Sequence, residues 1–213
     1  MKNRQRRHAF GTTRAVHAHI HQLDCDLAVW IRRAPAAARR YVRFCPSMLL
    51  PDITFRVGPD DDVRPHVRAG SLWADKHLAA FADDVAMLAD LFRAETGAKN
   101  LRIRIERVTN DGCRLFHVDH LRIRLVTTYR GAGTEWLPEW VLDRAGLKKG
   151  KNELIVRNPH GVRRMRPWAI ALQKGELYSG VPDTGIIHRS PPVVSAFEAR
   201  LVVVIDDADI AYR

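Results

Sequence analysis

The residues of this chain best suited to chemistry are His117 and Asp119, two apart in "FHVDH", and His188 in "GIIHRS". Two imidazoles and one carboxylate form a donor set for a divalent metal. Three such ligands on one side leave positions open, the arrangement of a facial triad that holds Fe(II) with room for a ligand and dioxygen. A buried, ionised carboxylate is costly unless a cation or hydrogen bonds compensate it, and a metal does so. A His-x-Asp pair is common by chance, so placement must add weight. His117 and Asp119 stand at the mouth of the alternating run "HLRIRLVTTYR", and His188 closes a short apolar stretch.

Counting by two from an inward His117 puts Asp119, Leu121, Ile123, Leu125, Thr127 and Tyr129 on the same inner face. Val118, His120, Arg122, Arg124, Val126 and Thr128 then face the other way. Thr127 and Tyr129 thus share the face of the metal ligands, although a core tyrosine with a satisfied hydroxyl is an equal reading. His120 adjoins the site but should point outward. Arg189 alternates away from His188 unless the turn "HRSPP" breaks the parity. Glu135 follows the turn Arg130-Gly131-Ala132-Gly133, where an exposed loop acid is the plain alternative. Arg200 opens "RLVVVID", the most apolar strand of the chain. Turned inward, its guanidinium keeps its proton and needs a fixed anion. Turned outward, it snorkels to water or pairs with Glu198 or Asp206. No catalytic group beyond the metal ligands stands out.

The elements that must position these residues divide the chain in two. Residues 1–22 form a basic tail expected to be flexible, and His17, His19 and His21 in it suit adventitious metal contact. Residues 23–213 read as one domain, mainly helical over 23–100 and all-β over 101–213. "DCDLAVWIRRAPAAARRYVRF" predicts two short helices or turns around Pro35, "ITFRV" a strand and "GPDDDVRP" a loop. The clearest helix runs from an N-cap at Ser71 to a C-terminal Gly97. "LRIRIERV" changes the period from 3.6 to 2, and "NELIVRN", "RPWAIALQKG", "TGIIHRS" and "RLVVVID" follow as strands. Short strands with turn signals and no helices between them predict a sandwich or barrel, hence an α+β fold with an N-terminal helical layer.

The 213 residues are 46% hydrophobic and 28% charged, enough for an ordinary core. Three cysteines, without CxxC spacing, exclude a disulfide scaffold and a cysteine zinc site. No apolar core follows the basic N-terminus, and no apolar run reaches the roughly 18 residues of a membrane span. A cytoplasmic protein without membrane contact is the expectation. The net charge of +11 suits a nucleic-acid partner. Arginine is spread along the chain, however, so a nucleic-acid-modifying enzyme remains an alternative rather than the first reading. "RGAGTEW" is not a phosphate loop, since no helix with Lys-Ser/Thr follows, and no GxSxG nucleophile occurs.

The order His117-x-Asp119, His188, Arg200 resembles the Fe(II)/2-oxoglutarate-dependent oxygenases. More specifically, "FHVDHLRIRLVTTYRGAGTEWLP", "LQKGELY" and "IIHRSPP" resemble the bacterial domain-of-unknown-function family 1826 over most of the chain. The first resemblance implies a double-stranded β-helix of jelly-roll or cupin-like type. It also implies iron held by His117, Asp119 and His188, and 2-oxoglutarate as cosubstrate with its far carboxylate on Arg200, aided by Tyr129 or Thr127. Arg189, Glu135 and His120 would then stand near the substrate or behind the ligands. The second resemblance implies an association with metal homeostasis, zinc in particular, and so a rival: a non-enzymatic zinc-binding protein on a cupin-like barrel. The substrate, small molecule or protein, is left open.

Overall fold

The computed structural model describes residues 7–110, 113–178, 184–192 and 199–210. Its strands are β1 (Arg7–Gly11), β2 (Cys25–Trp30), β3 (Ile53–Val57), β4 (Leu101–Val108), β5 (Ile123–Arg130), β6 (Glu135–Trp136), β7 (Arg163–Arg164), β8 (Ile170–Lys174), β9 (His188–Arg189) and β10 (Arg200–Asp207). The α-helices are α1 (Ala36–Phe44), α2 (Val63–Ala69), α3 (Leu78–Thr96) and α4 (Asn152–Ile155). Seven strands form one sheet in the order β1-β2-β8-β5-β10-β4-β3, and three form a second, β7-β6-β9. An antiparallel bridge from His117 to His188 extends the small sheet by one position.

Alternation sorts the large sheet's two faces. Leu101, Ile103 and Ile105 of β4, Ile123, Leu125 and Tyr129 of β5, and Leu201, Val203 and Ile205 of β10 pack on Tyr41 and Val42 of α1 and on Phe81, Val85, Leu88 and Phe92 of α3. That apolar area is the main stabilising layer, at about 25 cal/mol per Å² removed from water. The opposite face presents Arg104, Glu106, Arg124, Val126, Arg200, Val202 and Val204 to a cavity bounded by His117, Thr134, His188 and Arg189. At the β2 end, Leu27, Val29 and Ala171 pack on Trp136, Met165 and Ile186 and so join the two sheets.

Several expectations need correction. The tail is folded from Arg7 onward; Met1–Arg6 lie outside the described residues. β1 pairs in parallel with β2, and residues Arg14–His21 form a 3₁₀ turn in which His17 is fully buried, its Nε2 3.1 Å from the Ile170 carbonyl. "CDLAVW" is a central strand, not a helix, because it is buried on both faces and so lacks a period of two. α2 replaces the expected loop, with Asp62 accepting from the Arg64 amide as its cap. The long helix starts at Leu78, not Ser71, whose hydroxyl instead donates to the Val67 carbonyl of α2. Gly97 ends it in the left-handed region, φ 73°, as its sequence position predicts. "NELI" is a helical turn rather than a strand.

Candidate metal centre

His117 lies on the bridge beside β9 and His188 begins β9, with reciprocal backbone hydrogen bonds of 3.0 Å between the two residues. Their rings therefore come together, centroids 4.6 Å apart. Asp119 follows one pleat on, and one ligand atom from each of His117, Asp119 and His188 lies within 4.8 Å of the others. His117 Nε2 is 3.6 Å from Asp119 Oδ1, and His188 Nε2 is 3.4 Å from Asp119 Oδ2. Each ring has its other nitrogen on a main-chain carbonyl: His117 Nδ1 at 2.9 Å from Leu115 O, His188 Nδ1 at 3.3 Å from Ile186 O. A carbonyl only accepts, so Nδ1 carries a proton in each ring; neutral His188 then has its Nε2 lone pair toward Asp119, and His117 presents one once its Nε2 proton, favoured by Asp119, is released. This is the tautomer that ligates a metal.

The electrostatics agree. Burial pulls His188 down to about 4, only partly offset by Asp119, so the ring is neutral at pH 7. Burial would raise Asp119, but His188, His117 and Arg124 together hold it well below the usual carboxylate range. For His117, burial pulls down and the hydrogen bond and charge of Asp119 push up, with a net rise. The donor set, two imidazoles and an ionised carboxylate with Nε2 atoms converging, fits a first-row divalent ion.

The inner face is not the one that counting from His117 predicts. Between Asp119 and Ile123 the chain leaves extended geometry, and the Asp119, Leu121 and Arg122 carbonyls accept from Glu176, Leu177 and Gly175 amides instead of a strand partner. Gly175 is required there: a Cβ would meet the Leu121 carbonyl oxygen at 2.3 Å. The bend shifts the phase, so Arg124 and Val126 face the cavity while Leu125 and Tyr129 face the helices. Tyr129 and Thr127 are therefore corrected. The Tyr129 hydroxyl donates to Asp84 Oδ2 at 2.6 Å, on the helix side. Thr127 pairs with Val203, whose side chain belongs to the helix-side core, and its buried hydroxyl has no partner among the described residues. Neither reaches the cavity.

Arg200 faces the cavity. It is 5% exposed, its Nε donates to the Ala132 carbonyl at 2.7 Å, and its buried Nη1 has no hydrogen-bond partner among the described residues. Gly131 makes room for its stem: φ is +83°, and a Cβ would fall 2.7 Å from Arg200 Cγ. Burial pulls the guanidinium down to about 10, which leaves it cationic at pH 7. Of its suggested outward partners, Asp206 is taken by Arg124 and Glu198 lies outside the described residues. Glu135 is buried rather than a loop acid, and binds Arg189 Nε at 2.8 Å and Arg164 Nη2 at 2.5 Å. Arg189 also covers the Phe116 ring at 4.3 Å. His120 points outward and pairs with Glu176. Sequence reasoning missed the roles of Arg124, Arg104, Glu106 and Thr134 and gave Asp206 to Arg200 rather than to Arg124. Only cross-strand register, such as Asp206 opposite Arg124, reveals them.

A family model described as "Protein of unknown function (DUF1826)" matches residues 11–206. The chain belongs to this family. No curated protein matches it. Among solved structures, a Pseudomonas putida prolyl-4-hydroxylase is 10% identical at a TM-score of 0.44, over 90% of this chain and 95% of that one. The dioxygenase for auxin oxidation 1 from Arabidopsis thaliana, in complex with 2-oxoglutarate, is 12% identical at 0.40, over 82% and 73%. The non-heme α-ketoglutarate-dependent epimerase SnoN from nogalamycin biosynthesis is 10% identical at 0.43, over 93% and 84%. Among the described residues no helix is long and apolar enough to cross a membrane.

Proposed function

We propose that this DUF1826 protein is an Fe(II)/2-oxoglutarate-dependent oxygenase on a double-stranded β-helix. The observation that carries the reading is the joint placement of His117, Asp119 and His188 around one point, with Arg200, whose buried Nη1 has no hydrogen-bond partner among the described residues, lining the cavity that His117 and His188 border. A metal-holding protein has use for the first feature and none for the second. Glu106 and Glu135 act on Arg200 through space only; a buried donor without an acceptor is expensive, and a ligand carboxylate would remove that cost.

In this reading His117, Asp119 and His188 hold iron, which together with 2-oxoglutarate activates dioxygen for oxidation of a C–H bond. The chain does the rest. The Leu115 and Ile186 carbonyls fix the imidazole tautomers. Arg200 receives the far carboxylate of the cosubstrate and, through its bond to Ala132, holds it at one orientation. Val126, Val202 and Val204 form an apolar wall that excludes water from that pairing. The Glu135–Arg189 pair ties β6 to β9 next to His188. The substrate is a small molecule or a protein side chain.

The test is anaerobic purification with metal analysis, followed by turnover with 2-oxoglutarate and dioxygen. Iron-dependent formation of succinate is the expected result, since uncoupled turnover needs no substrate. Stoichiometric zinc with no 2-oxoglutarate consumption after exchange to Fe(II) contradicts the proposal and supports the metal-holding rival.

A further inference from the structure

Arg124 reaches the metal centre from the large sheet. Its Nη1 lies 2.7 Å from Asp119 Oδ1. The rest of its fork is anchored behind: Nε at 2.6 Å and Nη2 at 3.0 Å from the two oxygens of Asp206. Asp206 is 1% exposed, and its Oδ2 also lies 3.4 Å from Arg104 Nη2, whose Nη1 is occupied at 2.8 Å by Glu106. Asp119 Oδ2, by contrast, faces only an imidazole, His188 Nε2 at 3.4 Å, whereas Oδ1 lies 3.6 Å from His117 Nε2 and nearer, at 2.7 Å, to Arg124. The two oxygens of the one acidic ligand thus have different employment.

We propose that Arg124, held by Asp206, is a resident counter-cation of the metal centre that fixes how Asp119 binds and weakens the hold on the ion. The inference rests on the metal reading of His117, Asp119 and His188. Three physical points carry it. A carboxylate oxygen engaged by a guanidinium is a poor ligand, so Asp119 ligates through Oδ2 alone and a further position stays open. A guanidinium does not give up its proton, so its charge remains beside the ion and opposes it. Without metal, the same charge neutralises Asp119, so the site stays formed and can exchange its ion instead of needing it to fold. Arg124 and Asp206 are positioning residues here; neither is a ligand.

The arrangement gives opposite expectations for two neighbours that touch each other. R124M frees Asp119 Oδ1 and removes a positive charge, so metal binding tightens. D206N removes the anchor, so Arg124 leans wholly on Asp119 and competes harder, and metal binding weakens. Outer partners of metal ligands typically shift affinity 10–100-fold, so changes of about tenfold each way are expected. A purely structural role would weaken both variants alike.

The experiment titrates Mn(II) into the full chain and follows free Mn(II) by electron paramagnetic resonance, for the parent, R124M, R124K and D206N. Circular dichroism melts with and without Mn(II) report the fold. The expected order of affinity is R124M, then R124K, which keeps charge but loses the fork, then the parent, then D206N. Added Mn(II) should raise the melting temperature of R124M more than that of the parent. If R124M does not fold, R124K above the parent and D206N below it carry the same test. Parallel weakening, or no change, in variants of a parent that binds Mn(II) overturns this inference and leaves the metal reading standing. A parent that binds no divalent metal overturns both.

Discussion

Strand β5 serves two buried ion clusters, one on each face of the large sheet, and they are built differently. On the helix side, Asp84 accepts Arg32 Nη1, Arg32 Nη2 and the Tyr129 hydroxyl, each at 2.6 Å, and Arg32 Nε donates to the Trp168 carbonyl at 3.1 Å. Every strong donor has an acceptor inside the protein. On the cavity side, Arg124 is shared between Asp119 and Asp206, Asp119 Oδ1 and Oδ2 each face one imidazole nitrogen, of His117 and His188, and Arg200 Nη1 has no hydrogen-bond partner among the described residues. A closed circuit of buried charge holds a fold together. An open one of similar burial keeps a donor available for a group from outside.

The sharpest way to break that contrast is D84A. Removing one partner of a buried pair strands the other, so a loss of about 3–5 kcal/mol is expected in urea unfolding. Metal affinity of the folded fraction should be unchanged. Y129F tests the same cluster more gently: loss of a hydrogen bond to a charged group should cost about 1.5–3 kcal/mol and leave 2-oxoglutarate binding as it was. If Y129F instead weakened 2-oxoglutarate binding tenfold with stability intact, the assignment of the two faces would be reversed. D119A should reduce metal affinity at least about tenfold. It should disturb stability far less than D84A, because Arg124 keeps Asp206.

The smallest effect is in pH. His188 is depressed to about 4, so stability of the metal-free protein is lost as pH falls from about 6.5 toward 4, where the unfolded chain binds a proton that the folded ring refuses. His117 is raised, so its contribution is complete below about 6.5 and is lost as pH rises through its higher folded value. Metal-free protein should therefore be most stable near pH 6.5. The metal-loaded protein should continue to gain above that, because ligation requires the deprotonated His117. Thermal melts across pH 4–9 with and without Mn(II) check both curves; coincident curves contradict the assignment of His117 as a ligand.

How much of this was legible depended on what each segment exposes. β4 reads directly from sequence because one face is apolar and the other polar along its first six residues. β2 does not, because burial on both faces erases the alternation. The three ligand candidates were legible from residue type and strand-end placement, and so was the turn that begins at Arg130. The face of β5 was not legible. A bend at residues 120–122 shifts the phase, and its cause lies in the amides of Gly175–Leu177, far along the chain. That one slip moved Thr127 and Tyr129 to the wrong side and hid Arg124, whose alternation with Ile123 and Leu125 looks like an ordinary wet face. The pairing of Asp206 with Arg124 was hidden for the same reason: "VID" reads as a strand end until β10 is laid beside β5.

In the proposed oxygenase, a ligand anion at Arg200 completes the cavity-side cluster. The direct measurement is anaerobic isothermal titration of 2-oxoglutarate into Mn(II)-loaded protein, for the parent and for R200A. Saturable, metal-dependent binding by the parent is expected, with a loss of roughly 10–100-fold in R200A, the worth of a desolvated charge-assisted pair of about 1.5–3 kcal/mol. Mn(II) affinity should hardly differ between the two, since Arg200 is no ligand. No binding of 2-oxoglutarate by the Mn(II)-loaded parent at millimolar concentration, or equal binding by R200A, would contradict it.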